Sequence, residues 1–95
     1  MAEKVLNKKE FKDLFEVISS LKTAAEVKDF MRDVATLSEL TAMAERLQVA
    51  SMVEEGVPYR EISKKVGSST ATITRVAHWL HHGQGGYRLA LERMK

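Results

Sequence analysis

Ninety-five residues, 44% apolar and 29% charged with a formal net charge of +2, make one domain, and a chain this short buries so little surface alone that oligomerisation is expected. The lack of any cysteine excludes disulfides, thiolate metal sites and cysteine nucleophiles, and fits a reducing cytoplasm. No apolar run approaches the roughly 20 residues of a membrane helix, no signal-peptide core opens the chain and no low-complexity stretch suggests a tail, so the reading is a soluble, cytoplasmic protein folded over nearly its whole length.

Pro58 is the only proline, and nowhere do β-branched and polar residues alternate over the length of a strand, so every predicted element is helical. Phe11, Leu14, Phe15, Ile18 and Leu21 share one helix face and predict a first helix over residues 8–21. Thr23 with Glu26 then makes a capping box, opening a second helix whose apolar face is Val27, Phe30, Met31 and Val34 and which stops near Ala35. The same pattern in Thr36 and Glu39 opens a third and longest helix, residues 37–55, ended by Gly56 and Pro58. Its stripe of Leu40, Met43, Leu47, Ala50 and Val53 is widened by Ala44, Val49 and Met52, enough to touch two neighbours. A short helix over 59–66, a turn at Gly67 and a longer helix over 69–81 follow. Gly83, Gly85 and Gly86 break the chain before a last amphipathic helix bearing Tyr87, Ala90, Leu91 and Met94. The fold class is all-α, six helices with no sheet.

Charge is unevenly spread along these elements. Residues 1–55 carry eight Lys/Arg against eleven Asp/Glu, whereas residues 56–95 carry seven against two, so the second half is the one suited to phosphate. That half also holds the most specific motif, YREISKKVGSSTATITRVAHWL. Two short helices crossing steeply need a turn residue that tolerates left-handed backbone angles, and Gly67 supplies it. Ile62 and Val66 face inward from the first helix, Ile73, Val76 and Leu80 from the second, and Ser63 is small where the two approach. Ser68 stands where an aliphatic residue is more usual, and a role as helix cap is one reading of it. Outward on the second helix remain Ser69, Thr70, Ala71, Thr74, Arg75 and His78. Small and hydroxyl-bearing side chains of this kind suit the major groove of double-stranded DNA, and Lys64 and Lys65 beside them suit its phosphates. The predicted DNA-binding set is therefore Lys64, Lys65, Ser68, Ser69, Thr70, Ala71, Thr74, Arg75 and His78.

At this point the chain resembles the Trp repressor superfamily, in particular the shorter Trp-repressor-related proteins of unassigned ligand. REISKKVG and ATITR, residues 60–67 and 71–75, carry the likeness, which extends upstream through RLQVASMVEEG, residues 46–56. The resemblance implies a six-helix, intertwined homodimer. Residues 1–55 and 86–94 would serve dimerisation, and residues 59–81 would form a helix-turn-helix, with two reading heads entering successive major grooves of a near-palindromic operator. It also implies a regulator, a repressor by simple occupation of the operator. Three positions that handle tryptophan in that family have matching residues, Thr36, Arg46 and Arg75. Val76 departs from it: the Trp repressor has glycine there, and a β-branched side chain is expected to close the slot. L-Tryptophan is accordingly disfavoured as cofactor, with another small effector or effector-free DNA binding left open.

No metal site is expected. His78, His81 and His82 have no carboxylate or third ligand near them in sequence, so His78 is assigned to DNA and the other two to the helix end. Trp79 reads as a core or interface residue, and Met43, Met52 and Met94 as packing. With no phosphate loop, no paired carboxylates and no serine with a partner base, the chain is not read as an enzyme. The alternative class is a helical dimeric protein-interaction adaptor without specific DNA binding.

Overall fold

A computed structural model describes residues 2–95. Its elements are a 3-10 helix, Ala2–Asn7, followed by six α-helices: α1 Lys9–Ser20, α2 Ala24–Val34, α3 Leu37–Glu54, α4 Tyr59–Val66, α5 Thr70–His82 and α6 Gly86–Met94. The α-helices lie within a residue or so of their predicted bounds. The 3-10 turn is an addition that six residues with only Val5 and Leu6 as apolar anchors did not signal; its end is tied to α1 by Lys8 N–H donating to the Val5 carbonyl at 3.1 Å.

The chain divides into two compact units, one ending at Leu37 and the other running Ser38–Lys95. In the N-terminal unit the capping of α2 follows the sequence closely. Thr23 Oγ1 accepts from the Glu26 N–H at 3.1 Å. The Glu26 carboxylate accepts in return from Lys22 N–H at 2.8 Å, one residue upstream of the usual partner in a capping box. Neither α1 nor α2 contains a buried residue, although both are strongly one-sided in their apolar residues.

The core lies in the C-terminal unit. Val49 and Ala50 from α3, Ile62 from α4, Ile73, Val76 and Leu80 from α5, and Leu91 from α6 form one buried cluster. Ile62, Ile73 and Val49 are wholly buried, each removing enough apolar surface to contribute about 1.5–3 kcal/mol. The helices that carry them join where the sequence punctuates the chain. Val57 N–H reaches back to the Met52 carbonyl at 3.0 Å, beyond Gly56, closing α3 as a Schellman motif does. Val57 then packs on the cluster, and α4 starts directly after Pro58, whose missing N–H and fixed φ suit a helix start.

Candidate nucleic-acid interface

The site is built on the joint between α4 and α5. Gly67 closes α4 at φ 84°, ψ 9°, with its N–H bonded to the Ser63 carbonyl at 2.9 Å. That left-handed backbone turns the chain sharply enough for Ile62 of α4 and Ile73 of α5 to enter the same core. The turn is fastened by a side chain: Ser63 Oγ donates to the Ser68 carbonyl at 2.7 Å.

Ser68 and Ser69 divide the work differently from the sequence expectation. Ser69 is the cap of α5; its hydroxyl accepts from Thr72 N–H at 3.1 Å and donates to Thr72 Oγ1 at 3.1 Å. Ser68 is buried, 7% exposed, and its hydroxyl has no hydrogen-bond partner among the described residues. Its assignment to the DNA-binding set is therefore corrected. It occupies the inward position where an aliphatic side chain is more usual, so it faces the interior of the helix pair and offers nothing to a groove.

The remaining predicted residues are exposed. Thr70, Ala71, Thr74, Arg75 and His78 of α5 are all exposed, as are Ser69 and, in the last turn of α4, Lys64 and Lys65. The Thr74 hydroxyl donates to the Thr70 carbonyl one turn back at 2.9 Å, which leaves its oxygen lone pairs and its methyl group to face outward. No acidic residue stands in the first turn of α5, or anywhere along it, so the positive end of that helix is not neutralised against an approaching anion. The two lysines at the C-terminal end of α4 complement the opposite pole of their own helix.

Behind this face lies a cleft of about 250 Å³ lined by Arg46 of α3, Thr72, Arg75, Val76 and Trp79 of α5, and Tyr87 of α6. Val76 is 4% exposed and forms one wall of the cleft. Trp79 is 50% exposed, so it belongs to the cleft and not to the core. Arg46 and Arg75 both line the cleft, while Thr36 belongs to the other unit. Thr72 and Trp79 escaped the sequence reading, yet the spacing 72, 75, 76, 79 marks one helix face. Tyr87 had no such signal, because its arrival depends on the turn between α5 and α6. Among the described residues no cluster of three or more potential metal ligands occurs, and no helix is long and apolar enough to cross a membrane.

A family model described as Trp repressor protein matches residues 9–95. Bacillus subtilis YerC, a protein without a characterised function, is 43% identical over 90 residues, which are 95% of this chain and 86% of YerC. Among solved structures, a TrpR-like protein from Eubacterium eligens superposes with a TM-score of 0.91 at 40% identity, covering 96% of this chain and 94% of its own. A candidate Trp repressor from Staphylococcus aureus gives a TM-score of 0.90 at 36% identity, covering 99% and 94% respectively.

Proposed function

This chain belongs to the Trp repressor family, a family of DNA-binding regulators, and we propose that it is a dimeric repressor that reads a near-palindromic operator through an α4–α5 helix-turn-helix. The observation that carries the reading is the exposed row Thr70, Ala71, Thr74, Arg75 and His78 on a helix free of acidic residues. Thr74 presents acceptor lone pairs to base amino groups and a methyl to thymine, Ala71 permits close approach, and Arg75 can reach guanine or phosphate. Lys64 and Lys65 hold phosphates and set register.

The test is selection of duplexes from a random pool, followed by affinity measurement across salt concentrations. A palindromic site should emerge. Replacing both Lys64 and Lys65 by Gln should lower the magnitude of the log–log salt slope by about 2 per subunit, roughly 1 for each phosphate left without its ammonium group, and weaken all duplexes alike. Thr74→Asp should abolish binding to the selected site by placing a carboxylate against base edges and phosphates. A pool from which nothing is enriched would overturn the reading and favour a protein-binding adaptor.

The cleft supports a second element of this reading, a small anionic effector held between the guanidinium groups of Arg46 and Arg75. A planar guanidinium matches a carboxylate with two parallel hydrogen bonds. Because Val76 narrows the space beside α5, L-tryptophan is not the effector proposed. Calorimetric titration should give no saturable L-tryptophan binding, and tight binding would reverse that choice.

A further inference from the structure

We propose that α5 carries a two-imidazole site for a late first-row divalent metal ion, formed by His78 and His82, on the face offered to DNA. The two residues are four apart on one helix, and their ring centroids stand 5.2 Å from each other. Two imidazole nitrogens bound to one tetrahedral zinc at about 2.0–2.1 Å each lie roughly 3.3 Å from one another. Side chains at i and i+4 share one helix face, so rotation of the two rings is the only adjustment that the site calls for.

Three further features define the site. His82 ends α5, where unpaired carbonyls make the helix pole negative and favour a bound cation. Both rings are exposed, so water completes the coordination sphere. The donors are nitrogen alone with no carboxylate, which selects copper, nickel or zinc over magnesium or calcium, with copper tightest. His81 is excluded although it adjoins His82. Its Nδ1 lies 2.9 Å from Nη2 of Arg88; a guanidinium only donates, so this nitrogen accepts and its lone pair is taken.

The consequence rests on the DNA-reading proposal. His82 continues the row Thr70, Thr74, His78 at the same interval of four, so a hydrated metal ion held there occupies space that a duplex would need. Metal and operator should then compete, giving the reading helix a metal-sensitive affinity.

The lone tryptophan of the chain makes the first half easy to read, because Trp79 packs edge-on against His78 with centroids 5.4 Å apart and bound copper(II) quenches an indole so near. Titration of the intact protein with copper(II) should show saturable quenching at one equivalent per chain, reversed by excess zinc. H78N and H82N should each lose roughly ten-fold or more in affinity, at least the cost of losing an outer-shell partner, while H81N should bind as the parent does. Absence of saturation, or retained affinity in H82N, overturns the site. In the second half, saturating zinc should weaken binding to the selected duplex by about ten-fold in the parent and leave H82N unaffected. Unchanged duplex affinity in zinc overturns the competition while the quenching result still decides the site; a chain that binds no duplex at all overturns the DNA reading on which the competition depends.

Discussion

Ser68 is the residue whose chemistry and surroundings disagree most. A buried hydroxyl without a partner has exchanged hydration for nothing, at a cost of about 1–3 kcal/mol, and the neighbouring Ser63 hydroxyl is already committed to the Ser68 carbonyl. Ser68→Ala removes the orphan and leaves the backbone acceptor in place. The expected outcome is a gain of about 1 kcal/mol, read as a higher Tm, with duplex affinity unchanged because the side chain touches no groove. Ser63→Ala should move stability the other way by about 0.5–1.5 kcal/mol, since it strips the fastening of the turn. A fall in Tm for Ser68→Ala would mean that the hydroxyl is used. From sequence, the anomaly at position 68 was visible as a polar residue in an apolar slot, but its direction was not: a serine beside a helix start is as easily a cap, and only the bond from Ser69 to Thr72 decides which of two adjacent serines plays that part.

At the scale of elements, legibility follows how local the determining physics is. Helix bounds were readable because caps and stops act over three or four residues: Thr23 with Glu26, the Gly56–Pro58 stop after α3, and Gly67 between α4 and α5. The face of α5 was readable because a 3.6-residue period sorts Ile73, Val76 and Leu80 from Thr70, Thr74 and His78. The cleft was not, because it joins residues of three helices, and neither the half-exposed position of Trp79 nor the approach of Tyr87 has a local cause. Gly83 shows the same limit. It looked like a chain breaker, yet a Cβ placed there would collide with the backbone carbonyl of Trp79, so its smallness is required by packing. The two glycine positions therefore predict different responses. At Gly67 a Cβ would meet nothing within 4 Å, so Gly67→Ala incurs only the left-handed backbone cost of about 1–2 kcal/mol, and Gly67→Asn, which tolerates that region, should recover much of it. At Gly83 the obstacle is a main-chain atom, so Asn should be no better than Ala. Chemical denaturation of the four variants checks the contrast, and equal losses for Ala and Asn at position 67 would refute the backbone account.

For the whole molecule, the uneven distribution of burial is the fact to explain. The C-terminal unit has a core; α1 and α2 have none, and Phe15, Val34 and Leu37 are 50%, 59% and 62% exposed. Isolated amphipathic helices of 11 or 12 residues are marginal in water and hold their form by burying the apolar face against something. A second copy of the chain meets that need in the proposed dimer, and it would also set two reading helices at a fixed separation. The mutational response distinguishes this from a stable monomer. A polar substitution at an exposed surface site of a monomer shifts stability by no more than about 0.5 kcal/mol, so Phe15→Asp would be nearly silent there. At a buried dimer interface the same carboxylate loses its hydration without a partner, and such a loss costs several kcal/mol. The dimer reading thus expects Phe15→Asp to sediment as a monomer, to melt far below the parent and to lose cooperative binding to a palindrome. It also expects the parent Tm to rise with protein concentration, because association is linked to folding. A parent Tm independent of concentration, together with a silent Phe15→Asp, would leave the apolar faces of α1 and α2 exposed in the working protein and remove the basis for two-headed recognition.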